Sequence, residues 1–123
     1  MKNWEQIRPV VEQVLRQQRF TNSGNHHGKL CFLTAYQIAV LVDEHDNTLK
    51  GDLPIGGEGM GGESNSQSFA QQIALCLSRD ISKNLSDDTI EMQFFSRAGL
   101  DAFTFDGGKV PSANEFSMFK VKE

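Results

Sequence analysis

The stretch Leu33-Thr34-Ala35-Tyr36-Gln37-Ile38-Ala39-Val40-Leu41-Val42 specifies one helix by its start, its face and its length. Thr34 predicts the N-cap, because its hydroxyl can accept a hydrogen bond from a free amide of the first turn, and Gln37 lies at the capping-box offset. Leu33 and Ile38 stand at the two positions of a hydrophobic staple. We therefore expect a helix that runs to about His45 and buries Ala35, Ile38, Ala39, Leu41 and Val42.

An earlier helix is predicted over residues 3–18, with Asn3 as its N-cap. Pro9 lies past the first turn, so it either kinks this helix or marks its true start. Apolar residues at spacings of three and four give the helix one apolar face, formed by Trp4, Ile7, Val11, Val14 and Leu15.

A third helix is expected to begin between residues 64 and 66 and to reach about Lys83. The pattern Ser64-x-x-Gln67 offers a second capping box at that start. The apolar face of this helix consists of Phe69, Ala70, Ile73, Ala74, Leu77 and Ile81.

The C-terminal part of the chain alternates as strands do. Residues 89–95 place Ile90, Met92 and Phe94 on one face. Residues 102–106 and 116–122 are further candidate strands, and a turn is expected at Asp106-Gly107-Gly108. The first of these two segments places Phe103 and Phe105 on one face. In the second, Phe119 and Val121 would point inward, and Lys120 and Lys122 outward. Three helices followed by two or three antiparallel strands predict an α+β fold in a single domain over residues 1–123.

Composition limits the classes of function. The 123 residues are 38% hydrophobic and carry a net charge of −4, which disfavours a protein that binds DNA mainly through phosphates. No apolar run approaches the ~20 residues that span a bilayer, and Met1 to Glu5 lack the apolar stretch of a signal peptide. We therefore expect a cytoplasmic protein in which Cys31 and Cys76 are buried, reduced thiols.

The glycine-rich run at residues 56–63 precedes a predicted helix N-terminus, where free amides attract anions. It lacks the Gly-Lys-Ser/Thr ending of a P-loop, and Glu58 and Glu63 place negative charge where a phosphate would sit. A mobile loop, or a lid over something nearby, fits it better. Its glycines are Gly56, Gly57, Gly59, Gly61 and Gly62.

Other reactive groups have equally ordinary interpretations. The adjacent His26-His27 suit a solvated loop better than a metal site, and Asp43-Glu44-His45-Asp46 suits an exposed helix end. Cys76 lies between two leucines, which favours packing over nucleophilic chemistry. The sequence predicts no cofactor, no metal site and no catalytic residue, and it favours a binding protein over an enzyme.

Three helices followed by a hairpin resemble the order of elements in winged-helix proteins. In that family the third helix enters the major groove and the hairpin forms a wing. The resemblance implies that the start of the third helix makes the contacts, through Asn65, Ser66, Gln67, Ser68, Gln71 and Gln72. Two departures from the family are a long connection before the third helix and the absence of Lys and Arg from the first half of that helix.

The segment Phe32 to Ala39, with the glycine-rich run and Ser68 to Ala74, resembles small uncharacterised bacterial proteins carried on mobile integron gene cassettes. That resemblance implies no activity and no site. The leading hypothesis is a binding or adaptor module that uses the third helix and the glycine-rich loop to contact another protein, a second copy of itself, or DNA. The alternative is a small-molecule-binding protein or minor enzyme, with residues 56–63 as a lid over a pocket lined by Phe69, Phe94, Phe103 and Phe105.

Overall fold

The computed structural model describes residues 1–21, 24–25, 28–56, 68–100 and 115–123. A short 3-10 turn joins the last of three helices to the first strand of a long antiparallel pair. In chain order, the helices and strands are α1 (Trp4–Gln17), β1 (Leu33–Thr34), α2 (Ala35–His45), α3 (Phe69–Asn84), β2 (Ile90–Ser96) and β3 (Glu115–Val121). The predicted α+β class is confirmed. The three strands form one antiparallel sheet in the order β1-β3-β2.

α2 begins and ends where its sequence predicts. Thr34 Oγ1 accepts a hydrogen bond from the Gln37 amide at 3.3 Å, and Gln37 Oε1 accepts one from the Thr34 amide at 2.8 Å. The capping box is therefore complete, and the helix ends at His45. Its inner face matches the expected one: Ala35 and Leu41 pack half-buried against a core that includes Ile38, Ala39 and Val42.

α1 begins at Trp4 with Asn3 as its N-cap and continues through Pro9, so the proline does not mark the start. Pro9 has no amide hydrogen, so the carbonyl of Glu5 lacks its usual donor within the helix. Both residues are exposed, and water can donate a hydrogen bond to that carbonyl. The predicted apolar face is confirmed, with Trp4 half-buried beside fully buried Ile7, Val11, Val14 and Leu15.

α3 begins later than predicted. Its first residue is Phe69, and Ser68 is the N-cap, with Ser68 Oγ accepting a hydrogen bond from the Gln71 amide at 3.1 Å. The start expected between residues 64 and 66 was therefore wrong, and the pattern Ser64-x-x-Gln67 lies outside the described residues. Ser64, Ser66 and Ser68 offered competing N-caps at alternate positions, and the spacing of the sequence alone favoured the wrong one.

The sheet follows the predicted alternation and adds one strand. Ile90 pairs with Val121 and Met92 with Phe119, so the inner face of β2 and β3 packs on the helices. In the chain, β1 comes between α1 and α2, and it pairs with β3. The predicted order, in which all three helices precede every strand, was therefore wrong. Because β1 has only two residues, its sequence cannot show the alternation of apolar and polar residues that predicts a strand. The candidate strand at 102–106 and its turn lie outside the described residues.

Across the described ranges, no helix has both the length and the apolar character needed to cross a bilayer.

Candidate functional site

The N-terminus of α3 uses its free amides within the protein. The amides of Phe69 and Ala70 donate to the carbonyls of Pro54 and Ile55 at 2.8 and 2.9 Å, and the next amide donates to Ser68 Oγ. A helix N-terminus attracts anions through such amides. A glycine-rich run before a helix can indicate a phosphate-binding site. Because these three amides already have acceptors within the protein, they are not available to bind a phosphate.

The described part of the predicted contact set lies in the first turn of α3. Gln71 and Gln72 are half-buried there. Ser68 is fully buried, and its hydroxyl caps the helix. The other predicted contact residues, Asn65, Ser66 and Gln67, lie outside the described residues. Of the glycine-rich run, Gly56 is half-buried, and Gly57, Gly59, Gly61 and Gly62 lie outside the described residues.

The outer face of α3 has an apolar residue near its centre. Leu75 is 51% exposed, although the buried Leu77 is only two positions away. Residues two apart on a helix differ by about 200° in direction, so these two leucines point to opposite sides. One turn after Leu75 on the outer face comes the exposed Arg79, and the exposed Ser82 and Lys83 follow. The outer face is therefore apolar near its middle and polar towards its C-terminal end.

On the neighbouring strand β2, Phe94 is a further exposed apolar residue, with 67% of its surface exposed. It lies on the same face of β2 as Ile90 and Met92, and that face meets the helices. Met92 contacts α3 directly, since its Sδ accepts a hydrogen bond from Ser78 Oγ at 3.7 Å. Phe94 thus extends the inner face of the sheet beyond the part that the helices cover.

Leu75 and Phe94 lie at the same end of the junction between α3 and β2, and we call these two exposed residues the α3–β2 patch. Both lie on the same side of the contact between Ser78 and Met92, because the turn after α3 reverses the chain direction. Leu75 is about 4.5 Å along the helix from Ser78, and Phe94 is about 7 Å along the strand from Met92. The exposed apolar groups of the helix and the strand therefore lie at the same end of the junction.

A polar cluster closes the opposite end of this junction. We call it the Arg8 cluster, and its ion-pairing members are Arg8, Glu12, Asp80 and Asp88. Arg8 Nη1 lies 2.6 Å from Asp80 Oδ2, Nη2 lies 2.6 Å from Asp88 Oδ1, and Nε lies 3.3 Å from Glu12 Oε1. Trp4 Nε1 also donates to Asp80 Oδ2 at 2.7 Å. The cluster ties α1 to the end of α3 and to the start of β2.

The charges of the Arg8 cluster are mutually satisfied. Burial alone would lower the pKa of Arg8, but its bonds and charges with Asp88 and Asp80 prevail and raise that pKa. Burial likewise raises the pKa of Asp88, and the bonds from Arg8, the Ile90 amide and Asn84 outweigh it, leaving that pKa below its usual value. Arg8 stays protonated and Asp88 ionised near neutral pH, so the cluster is structural rather than a proton donor or acceptor.

The remaining candidate groups do not assemble into a site. Cys76 is buried, which raises the pKa of its thiol, and Cys31 is half-buried. In the described parts of the chain, no group of three or more His, Cys, Asp and Glu side chains is placed to hold a metal ion. His26 and His27 lie outside those parts. Of the four phenylalanines expected to line a pocket, Phe69 is in the core and Phe94 faces solvent, and Phe103 and Phe105 lie outside the described residues.

Sequence reasoning missed Leu75 as a surface residue, although a signal was present. The run Ala74-Leu75-Cys76-Leu77 is apolar at four consecutive positions, and one helix face cannot bury all four. Leu75 is the member farthest from the predicted apolar face. The Arg8 cluster left a weaker signal, the spacing of Arg8 and Glu12, which is typical of an ion pair on any exposed helix.

Comparison with protein-family models, with curated proteins and with solved structures finds no match to this chain.

Proposed function

We propose that this chain is a small, winged-helix-like binding module that contacts another protein chain through the α3–β2 patch. The observation that carries the proposal is the exposure of Leu75 and Phe94 at one end of the helix–strand junction. Apolar side chains grouped on a surface and bordered by polar groups are typical of protein-binding sites. Gln71, Gln72 and Arg79 lie within one turn of Leu75 and supply the polar border.

The winged-helix part of the proposal is supported by topology. The elements follow the order helix, strand, helix, helix, strand, strand, and the central strand of the sheet is the last one in the chain. On this assignment α3 corresponds to the recognition helix of that family, and β2 and β3 correspond to the strands that flank the wing. The connection over residues 46–68 is longer than the turn of a helix-turn-helix and is the main departure.

A protein partner fits the outer face of α3 better than DNA does. A recognition helix reads base edges with polar and basic side chains, whereas here the apolar Leu75 lies near the middle of the outer face. Arg79 and Lys83 are basic residues of that face, and the whole chain carries a net charge of −4. Phosphate contacts supply most of the affinity of DNA-binding proteins, so this surface lacks their principal source of binding energy.

Photo-crosslinking tests the proposal. A photoreactive amino acid is placed at position 75 or 94 of the full chain, and the chain is irradiated in cells that produce it naturally. The matched control is position 85, because Leu85 is also an exposed apolar residue, at 72%, but it lies in the turn after α3. We expect discrete protein adducts from positions 75 and 94 and none from position 85.

Two results would overturn the proposal. One is the absence of discrete protein adducts from positions 75 and 94. The other is a nucleic-acid adduct from these positions together with retention on DNA that falls steeply as salt increases, which would assign the surface to DNA.

A further inference from the structure

Two basic side chains continue the exposed surface of α3 from the α3–β2 patch towards the end of the helix. Arg79 and Lys83 follow Leu75 at intervals of four residues, and all three are exposed. Successive members are about 6 Å apart along the helix, and together they turn through about 80° around its axis. We call these three residues the α3 row, because one apolar residue and two cations share one side of the helix.

The acidic residue of α3 does not offset the charge of this row. Asp80 directs its carboxylate into the Arg8 cluster, with Oδ2 2.6 Å from Arg8 Nη1 and 2.7 Å from Trp4 Nε1. The other exposed residues of α3, Ser82 and Asn84, are uncharged. The exposed charges of this helix are therefore all positive, in a chain whose net charge is −4.

The helix dipole explains only part of this arrangement. A cation in the last turn of a helix is stabilised by the dipole, and the effect falls off within that turn. Lys83 lies in the last turn of α3, as the exposed Arg16 does in α1. Arg79 lies five residues before Asn84, the last residue of the helix, so the dipole gives no reason for its charge.

We infer that the partner segment is an acidic amphipathic helix, whose apolar residue packs on the α3–β2 patch and whose carboxylates pair with Arg79 and Lys83. This inference rests on the proposed protein-binding function and names the chemistry of the partner. A helix suits the α3 row because its own residues four apart are also about 6 Å apart along the axis. An apolar residue and carboxylates in the next two turns then meet the three members in order. Complementary charges of this kind favour the matching partner over others.

Two synthetic peptides test this chemistry on the full chain. Both are amphipathic, with leucines on one face, and about 15 residues long so that they can form a helix. They differ only in carrying either glutamate or lysine beside the leucines. Fluorescence anisotropy measures the affinity of each. We expect the glutamate peptide to bind roughly tenfold more tightly than the lysine peptide, and the preference to shrink as salt rises.

Charge reversal assigns that preference to the α3 row. Arg79→Glu and Lys83→Glu are each expected to weaken binding of the glutamate peptide roughly fivefold and to strengthen binding of the lysine peptide. Arg16→Glu is the matched control. It makes the same change in net charge and, like Lys83→Glu, opposes a helix dipole, and it leaves the ratio of the two affinities unchanged.

The three substituted positions are exposed, so circular dichroism is expected to show folded variants. Arg79→Gln and Lys83→Gln remove each charge without adding an opposite one, and a smaller loss of the same preference is expected from them. They provide the comparison if a glutamate variant does not fold.

Two results would overturn the acidic partner. One is a glutamate peptide that binds no more tightly than the lysine peptide, including the case in which neither binds. The other is a preference that persists in the variants of Arg79 and Lys83. Crosslinking then shows how far the failure extends. Protein adducts from positions 75 and 94 leave the proposed function standing, and the absence of such adducts overturns both.

Discussion

The two ends of the junction between α3 and β2 differ in whether their side chains have partners within the chain. At the end near the turn, the Arg8 cluster brings three carboxylates to one guanidinium, and α1 covers the contact. At the other end, Leu75 of α3 and Phe94 of β2 are exposed to solvent. The first end has its polar groups paired within the chain, and the second has apolar surface that the chain does not cover. The difference separates a region that stabilises the fold from one that is available to a partner.

The largest expected effect is the loss of a buried partner from the Arg8 cluster. The Asp88 side chain is 1% exposed, and it accepts hydrogen bonds from Arg8, Asn84 and the Ile90 amide. Asp88→Ala leaves the buried Ile90 amide without its acceptor and removes one of the charged partners of Arg8, and we expect it to lower the free energy of unfolding by about 3–5 kcal/mol. Chemical denaturation measures this change.

The control for that substitution is Asp87→Ala, because Asp87 is the exposed preceding residue. It is expected to alter the free energy of unfolding by less than about 0.5 kcal/mol. Equal losses in the two variants would show that the Arg8 cluster does not carry the stability assigned to it.

The next largest effect is a difference in the free energy of unfolding between alanine variants at two leucines of α3. Leu77 is fully buried, and Leu77→Ala leaves a cavity, so we expect it to lower the free energy of unfolding by about 2–5 kcal/mol. Leu75→Ala removes an exposed side chain and is expected to change the same quantity by less than about 0.5 kcal/mol. Chemical denaturation of the two variants at the same protein concentration gives the comparison. A large loss from Leu75→Ala would mean that this side chain serves the fold, and the α3–β2 patch would then lose its central residue.

The smallest effect is expected from pH. The bonds to Asp88 hold its pKa below the ordinary 3.8, so the folded protein binds this proton less readily than the unfolded chain does. The stability from this carboxylate is therefore fully present well above pH 3.8, and it is lost as the pH falls through the lower folded value. Between pH 7 and pH 5 the change is small, because few carboxyls of the unfolded chain, with the ordinary pKa of 3.8, have bound a proton. Denaturation midpoints of the wild type and Asp88→Asn should converge below pH 4, and a constant difference down to pH 2 would contradict this assignment.

Local patterns in the sequence were sufficient for the helices and for the faces of the long strands. The cap at Thr34, the inner face of α1 and the alternation in β2 depend on interactions between residues close in the chain. The start of α3 was misplaced because the choice among neighbouring serines depends on contacts with Pro54 and Ile55. β1 was missed because its two residues become a strand only through pairing with β3.

The candidate site was harder to predict from the sequence than the fold was. Gln71 and Gln72 were expected to make contacts, and they do lie beside the α3–β2 patch. Leu75 was left out of the predicted apolar face of α3 without being recognised as a surface residue, and Phe94 was expected to line a pocket, whereas it is exposed. The alternation that places Phe94 with Ile90 and Met92 is that of a buried strand face. Whether a residue at the end of an apolar face is covered depends on where neighbouring elements stop.

The sequence by itself determined the α+β class, the capped start of α2 and which sides of the helices and long strands are apolar. These follow from hydrogen bonds and periodicities that span only a few residues. The tertiary structure decided that Arg8 meets Asp80 and Asp88, that β3 is the central strand, and that Leu75 and Phe94 are left exposed. Those outcomes depend on residues far apart in the chain, and their proximity is set by packing rather than by local pattern.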